Sequence, residues 1–168
     1  MNATCEPSSP TSMPDDAPVP MTSEERGVWV FLITNLAAAI AYGFVIVPRA
    51  LSQPIDEVSW VTPMLWAIGL QIVGTIVGSI VAAIGSAVGQ TLRGGTIEPD
   101  VTDERDKEIA RQGSRVSYAV LGTGTLAALI LAMLSADTFW IGNTIFAFGV
   151  VGSAAEAIVK IRAYRWGV

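Results

Sequence analysis

The chain has 168 residues, of which 51 % are hydrophobic and 15 % charged, with a formal net charge of −5, one cysteine and no histidine. Soluble domains carry roughly 25 % charged residues, so charge is depleted over most of this sequence. Without histidine there is no imidazole metal site and no histidine base or triad, and a lone Cys5 can form no intrachain disulfide.

Four stretches carry no charge at all: Gly27–Pro48, Val58–Leu92, Val116–Ala136 and Thr138–Ala155. A hydrocarbon core about 30 Å thick is crossed by roughly 20 residues of helix, and a chain in lipid must satisfy its backbone internally. The expectation is therefore an all-α polytopic membrane protein with four transmembrane helices. Its spans fall at about 27–47, 63–88, 116–134 and 139–159 of a domain covering 26–168.

Residues 1–25 open the chain with most of its prolines, many Ser and Thr, and acids, a composition that reads as a disordered tail. Thr22-Ser23-Glu24-Glu25 marks a helix start, with a hydroxyl able to cap and carboxylates at the positive end of the dipole. Pro48 is expected to end the first helix, and Arg49 to Glu57 forms a polar connection. Trp60 suits a membrane interface, and the second helix begins near Pro63. The uncharged run of this helix is too long for a bilayer core, so it must tilt or protrude. Ala67, Gln71, Gly74, Gly78, Ala82, Gly85 and Gly89 share one face of it, within about 80° at 100° per residue. Small residues with one amide form the kind of seam that packs helices in lipid.

Arg93-Gly94-Gly95 supplies a helix stop, and 93–115 forms a polar loop. Within it, Glu98 to Glu108 holds six acids and two bases. No Asx-x-Asx spacing with a central glycine is present to wrap Ca²⁺. From Asp103 the sequence reads as an amphipathic lead-in to the third helix, with Asp103/Lys107 and Glu108/Arg111 at pairing distance. Ser135-Ala136-Asp137 leaves room only for a tight turn, making helices three and four an antiparallel hairpin. Lys160, Arg162, Arg165 and Trp166 close the chain with a basic, aromatic segment suited to headgroups.

With both termini inside, nine of the ten Lys and Arg face the cytoplasm and Arg49 alone lies outside. That bias sets the orientation. The Arg-rich, Ala/Gly/Val-heavy composition points to a bacterial inner membrane.

Among candidate functional residues, Glu156 is the one acid inside an expected span, and it shares a face with Gly142, Gly149 and Ser153. Intramembrane carboxylates mark proton or cation pathways, whereas a Glu156/Lys160 pair one turn apart is the structural alternative. Asn35 and Asn143 read as interhelical hydrogen bonders. No phosphate-binding glycine loop, paired thiol, nucleophile elbow or nucleic-acid-binding basic patch occurs.

The Asp103-Glu104-Arg105-Asp106 motif, the stretch Ala136 to Asn143 and the closing Ala163-Tyr164-Arg165-Trp166-Gly167 resemble a group of uncharacterised small bacterial membrane proteins. The resemblance covers the last two helices with their lead-in and, loosely, the first two. The histidine typical of the family at the Thr138 position and its second base at the Trp166 position are replaced here. A four-helix fold is implied, without an activity.

The function expected is non-enzymatic and without cofactors: an accessory, sensor-like or regulatory subunit acting through the 93–115 loop and the C-terminal tail, with Asp103, Glu104, Arg105 and Asp106 as candidate functional residues. Its partners would be the lipid bilayer, a cytosolic or membrane protein, and a second copy of the chain. The competing reading is a small proton-coupled transporter using Glu156.

Overall fold

The computed structural model describes residues 22–92 and 104–166. Its four long helices are α1 (Ser23–Ser52), α2 (Val61–Leu92), α3 (Glu104–Met133) and α4 (Thr138–Trp166), with a 3-10 turn at Ile55–Glu57. All four are long and apolar enough to cross a membrane. At 1.5 Å per residue, the shortest, with 29 residues, measures about 43 Å, well over a hydrocarbon core.

The helices outrun the expected spans because charge ends a hydrocarbon-compatible stretch without ending a helix. Thr22 caps α1, its Oγ1 accepting from Glu25 N at 3.1 Å. At the other end, Pro48 does not terminate α1 as expected. Its missing N–H removes one rung, while the chain continues to Ser52 and closes with Gln53 N donating to Arg49 O at 3.2 Å. Pro63 sits in the first turn of α2, where its N–H would lack an intrahelical partner in any case. The charged lead-in and the apolar part of α3 form one continuous helix, and residues 93–103, with Asp103, lie outside the described set.

α1 packs against both α2 and α4, and α4 packs against α3. The helices thus follow the order α2, α1, α4, α3. Down the α1–α4 contact run three polar links: Glu25 with Arg165, Asn35 with the Val150 carbonyl, and Tyr42 with Asn143. Two apolar clusters accompany them. Leu32, Ala157 and Ile161 pack toward the chain termini, while Tyr42, Ile46, Val58, Ala67 and Phe139 pack at the connecting-turn end.

Close approach of α3 to α4 depends on small residues. Gly113, Ser117, Gly124 and Ala128 are buried on α3. A Cβ on Gly124 would strike the Phe148 side chain, and one on Gly152 would lie 3.4 Å from the Ser117 carbonyl. Between α1 and α2 the same holds at two points: a Cβ on Gly74 or Gly78 would lie 2.6 Å from Thr34 or Val30. Continuing that antiparallel register brings Gly85 level with Ser23, where α1 begins, and Gly89 past it. No described residue meets either glycine.

Trp60 is half-buried. Its ring covers Gly142, where a Cβ would come within 2.5 Å of it, and stands edge-on to Phe139. α3 ends in a Schellman motif: Ala136 N donates to Leu131 O and Ser135 N to Ala132 O, both at 3.0 Å. Ser135 holds the left-handed position with φ 54°. The Asp137 carboxylate then accepts from Phe139 N at 2.7 Å and starts α4.

Candidate functional site: the charged ends of α1, α3 and α4

The antiparallel order brings the start of α1, the start of α3 and the end of α4 to one end of the molecule. Most of the charged side chains described collect there. Glu25, expected to act only on the helix dipole, is 5 % exposed and lies 2.6 Å from Arg165 Nε. A carboxylate so withdrawn from water needs a counter-charge, and Arg165 supplies it from the last turn of α4.

Glu156 sits one turn before Lys160, their charged atoms 2.7 Å apart and both side chains about a quarter exposed. Ser114 Oγ donates to the same carboxylate oxygen at 3.4 Å. The pair lies across Gly113 of α3, where a Cβ would meet Lys160 Cε at 2.9 Å and Glu156 Cγ at 3.1 Å. On the α1 side of the pair, a hollow of about 290 Å³ is lined by Glu24, Gly27, Val28 and Phe31 together with Glu156 and Lys160.

Two residues of the Asp103 to Asp106 motif turn toward α4. Arg105 donates to the Ala163 carbonyl at 3.5 Å. Asp106, half-buried, accepts from the Tyr164 hydroxyl. Tyr164 lies past the expected span of α4. Burial, then the Asp106 charge and the bond to it, then the charge of Glu24, push its phenol far above the usual range, against the opposing pull of Arg105. Glu104 instead pairs with Lys107 at 2.7 Å on the exposed side.

α3 is therefore two-faced along its charged lead-in. Ile109, Gly113 and Ser117 are buried against the bundle, and Asp106 shares their face. The opposite face exposes Glu104, Lys107, Glu108, Arg111 and Arg115 at helical spacing. Because α3 is unbroken, this charged stripe and the apolar half belong to one continuous helix.

A second polar region lies halfway along the helices. Asn35, 1 % exposed, donates from Nδ2 to the Val150 carbonyl at 3.1 Å. Gln71, the amide of the α2 seam, lines a notch of about 200 Å³ with Asn35 and Ser153. Toward the connecting turns, Asn143 accepts from the Tyr42 hydroxyl at 2.7 Å and donates to the Phe139 carbonyl at 2.8 Å.

Sequence reasoning missed Glu25, Arg165 and Tyr164 as partners, because pairing between residues so far apart in the chain carries no local signal. It also passed over the small-residue stripe of α3, which was readable as Gly113-x₃-Ser117 and Gly124-x₃-Ala128. Among the described residues, no group of three His, Cys, Asp or Glu side chains is placed to hold a metal ion. Compared with protein-family models, curated proteins and solved structures, the chain matches none.

Proposed function

We propose that this chain is a multi-pass protein of a bacterial inner membrane, with both termini cytoplasmic and α3 and α4 crossing as a hairpin. In it the charged lead-in of α3 serves as the contact of a non-enzymatic accessory or sensor-like subunit. Apolar side chains exposed over the whole of α2 that faces away from α1, among them Leu65, Trp66, Leu70, Ile72 and Val73, favour lipid over water. The base distribution favours the orientation. Kinship with the small uncharacterised bacterial membrane proteins belongs to the same reading and rests on the Asp103 to Asp106 and Ala163 to Gly167 motifs.

The observation that carries the functional part is the two-faced lead-in. Arg105 and Asp106 are spent on α4, while Glu104, Lys107, Glu108, Arg111 and Arg115 form an exposed stripe on a helix continuous with the membrane segment. A partner gripping that stripe would act on the α3–α4 pair directly. Purification from native membranes tests this with the variant Glu104→Lys, Glu108→Lys, Arg111→Glu. Loss of a co-purifying protein at unchanged thermal stability supports the reading, and retention of that protein removes it.

One observation favours proton-coupled transport instead: Glu156 lines the hollow beside α1 together with Glu24 and Lys160. Transport requires that the carboxylate release Lys160 and exchange a proton. Proteoliposomes with proton flux in the wild type and none in Glu156→Gln would establish it.

A further inference from the structure

The notch at the middle of the helices draws a wall from each of them: Asn35 from α1, Ile68 and Gln71 from α2, Leu121 from α3, Phe146 and Ser153 from α4. Asn35 commits its amino group to the Val150 carbonyl, and its Oδ1 has no hydrogen-bond partner. The amide cannot be reversed, since a flip would set two oxygens against each other at 3.1 Å. The unmatched atom is thus an acceptor, and leaving it buried and unbonded is costly. Thr75 Oγ1, one turn from Gln71 on the same face of α2, is a second buried polar atom without a partner.

No charged side chain lines the notch, so an ion would enter it without a counter-charge. A water takes up about 30 Å³ in the liquid, so 200 Å³ holds several waters or one small solute. We propose that the notch is a binding site for a small uncharged hydroxyl donor that bonds Asn35 Oδ1, with Gln71 and Ser153 completing its hydrogen bonds. The oxygen itself is covered, so a donor reaches it when a wall residue yields. Gln71, long, flexible and polar, is suited to that movement.

An occupant would bond residues of α1, α2 and α4 at once. α2 otherwise rests almost entirely on α1, so occupancy fastens the least supported helix to the rest. This site shares no residue with the α3 stripe, and each reading can fail without the other.

The hydroxyl can come from solvent or from an alcohol-type solute, and nuclear magnetic resonance on the ¹⁵N-labelled full chain in detergent micelles separates the sources. The reporter is the side-chain amide of Asn35, assigned by its loss in Asn35→Leu. Asn143, with its oxygen taken by Tyr42 and its nitrogen by Phe139, is the internal control. Water-to-amide transfer at Asn35 and not at Asn143, with no saturable response to 1-butanol, assigns the donor to solvent. A saturable butanol shift at Asn35, absent at Asn143, assigns it to a solute. Absence of both effects overturns the site, as does a Gln71 amide in steady contact with the Asn35 oxygen.

Discussion

The carboxylate of Glu25 and the guanidinium of Arg165 meet at 2.6 Å, joining the first turn of α1 to the last turn of α4 across 140 residues of chain. Arg165→Ala would leave a carboxylate whose side chain is 6 % exposed without its cation. Because Arg165 itself is 45 % exposed, solvent screening reduces the loss to about 1–2 kcal/mol, below that of a fully buried pair. Thermal unfolding in detergent of Glu25→Gln, Arg165→Ala and the double variant measures the coupling. Strict additivity of the two single changes would mean that the contact contributes nothing.

The packing glycines divide by what they face. Gly78→Leu drives a side chain into Val30 and Gly124→Leu into Phe148, whereas Gly85→Leu meets no described residue. Overpacking of this kind costs about 1–3 kcal/mol, so the first two should lose stability and the third should keep it. Equal melting temperatures for Gly78→Leu and Gly85→Leu would remove the α1–α2 seam as a close-packed contact.

These positions show what was legible in the sequence. The number and rough placement of the helices follow from the four uncharged runs, because charge is the strongest signal a membrane imposes on composition. The glycine face of α2 was equally visible, but its extent of contact depends on the register of α1 against α2, which helical periodicity alone does not specify. The acids of the α3 lead-in were visible as a group. Which of them faces α4 depended on the helical phase of Ile109, Gly113 and Ser117, and that phase was present in the sequence but unread. The pairing of Glu25 with Arg165 was not readable at all, since it requires knowing that α1 neighbours α4.

Two glycines at helix contacts should respond differently to alanine. At Gly113 a methyl meets the flexible stems of Lys160 and Glu156, which can shift. A helix gains about 1 kcal/mol from Ala over Gly, so Gly113→Ala should come out near neutral. At Gly142 the methyl meets the rigid Trp60 indole at 2.5 Å, itself packed on Phe139, and the loss should be about 1–3 kcal/mol. Trp60 fluorescence would give a local readout if the other four tryptophans were first replaced by phenylalanine. A spectrum unchanged in Gly142→Ala would mean that the ring does not lie where the structure places it.

At the turn between α3 and α4, Ser135 holds a backbone conformation with φ 54° that a side chain disfavours. The Schellman bonds from Ser135 and Ala136 fix this conformation, and Asp137 starts α4 immediately afterwards, so the residue cannot relax into a commoner one. Glycine adopts left-handed backbone without the Cβ clash and is the usual occupant of this helix-ending position. Ser135→Gly should therefore stabilise the chain by about 0.5–1 kcal/mol, the relief of strain exceeding the added entropy of the unfolded state. Ser135→Val, branched at Cβ, should destabilise it, and Ser135→Asn should lie between the two. The order of the three melting temperatures is the test. If glycine falls below valine, Ser135 is not in the left-handed region.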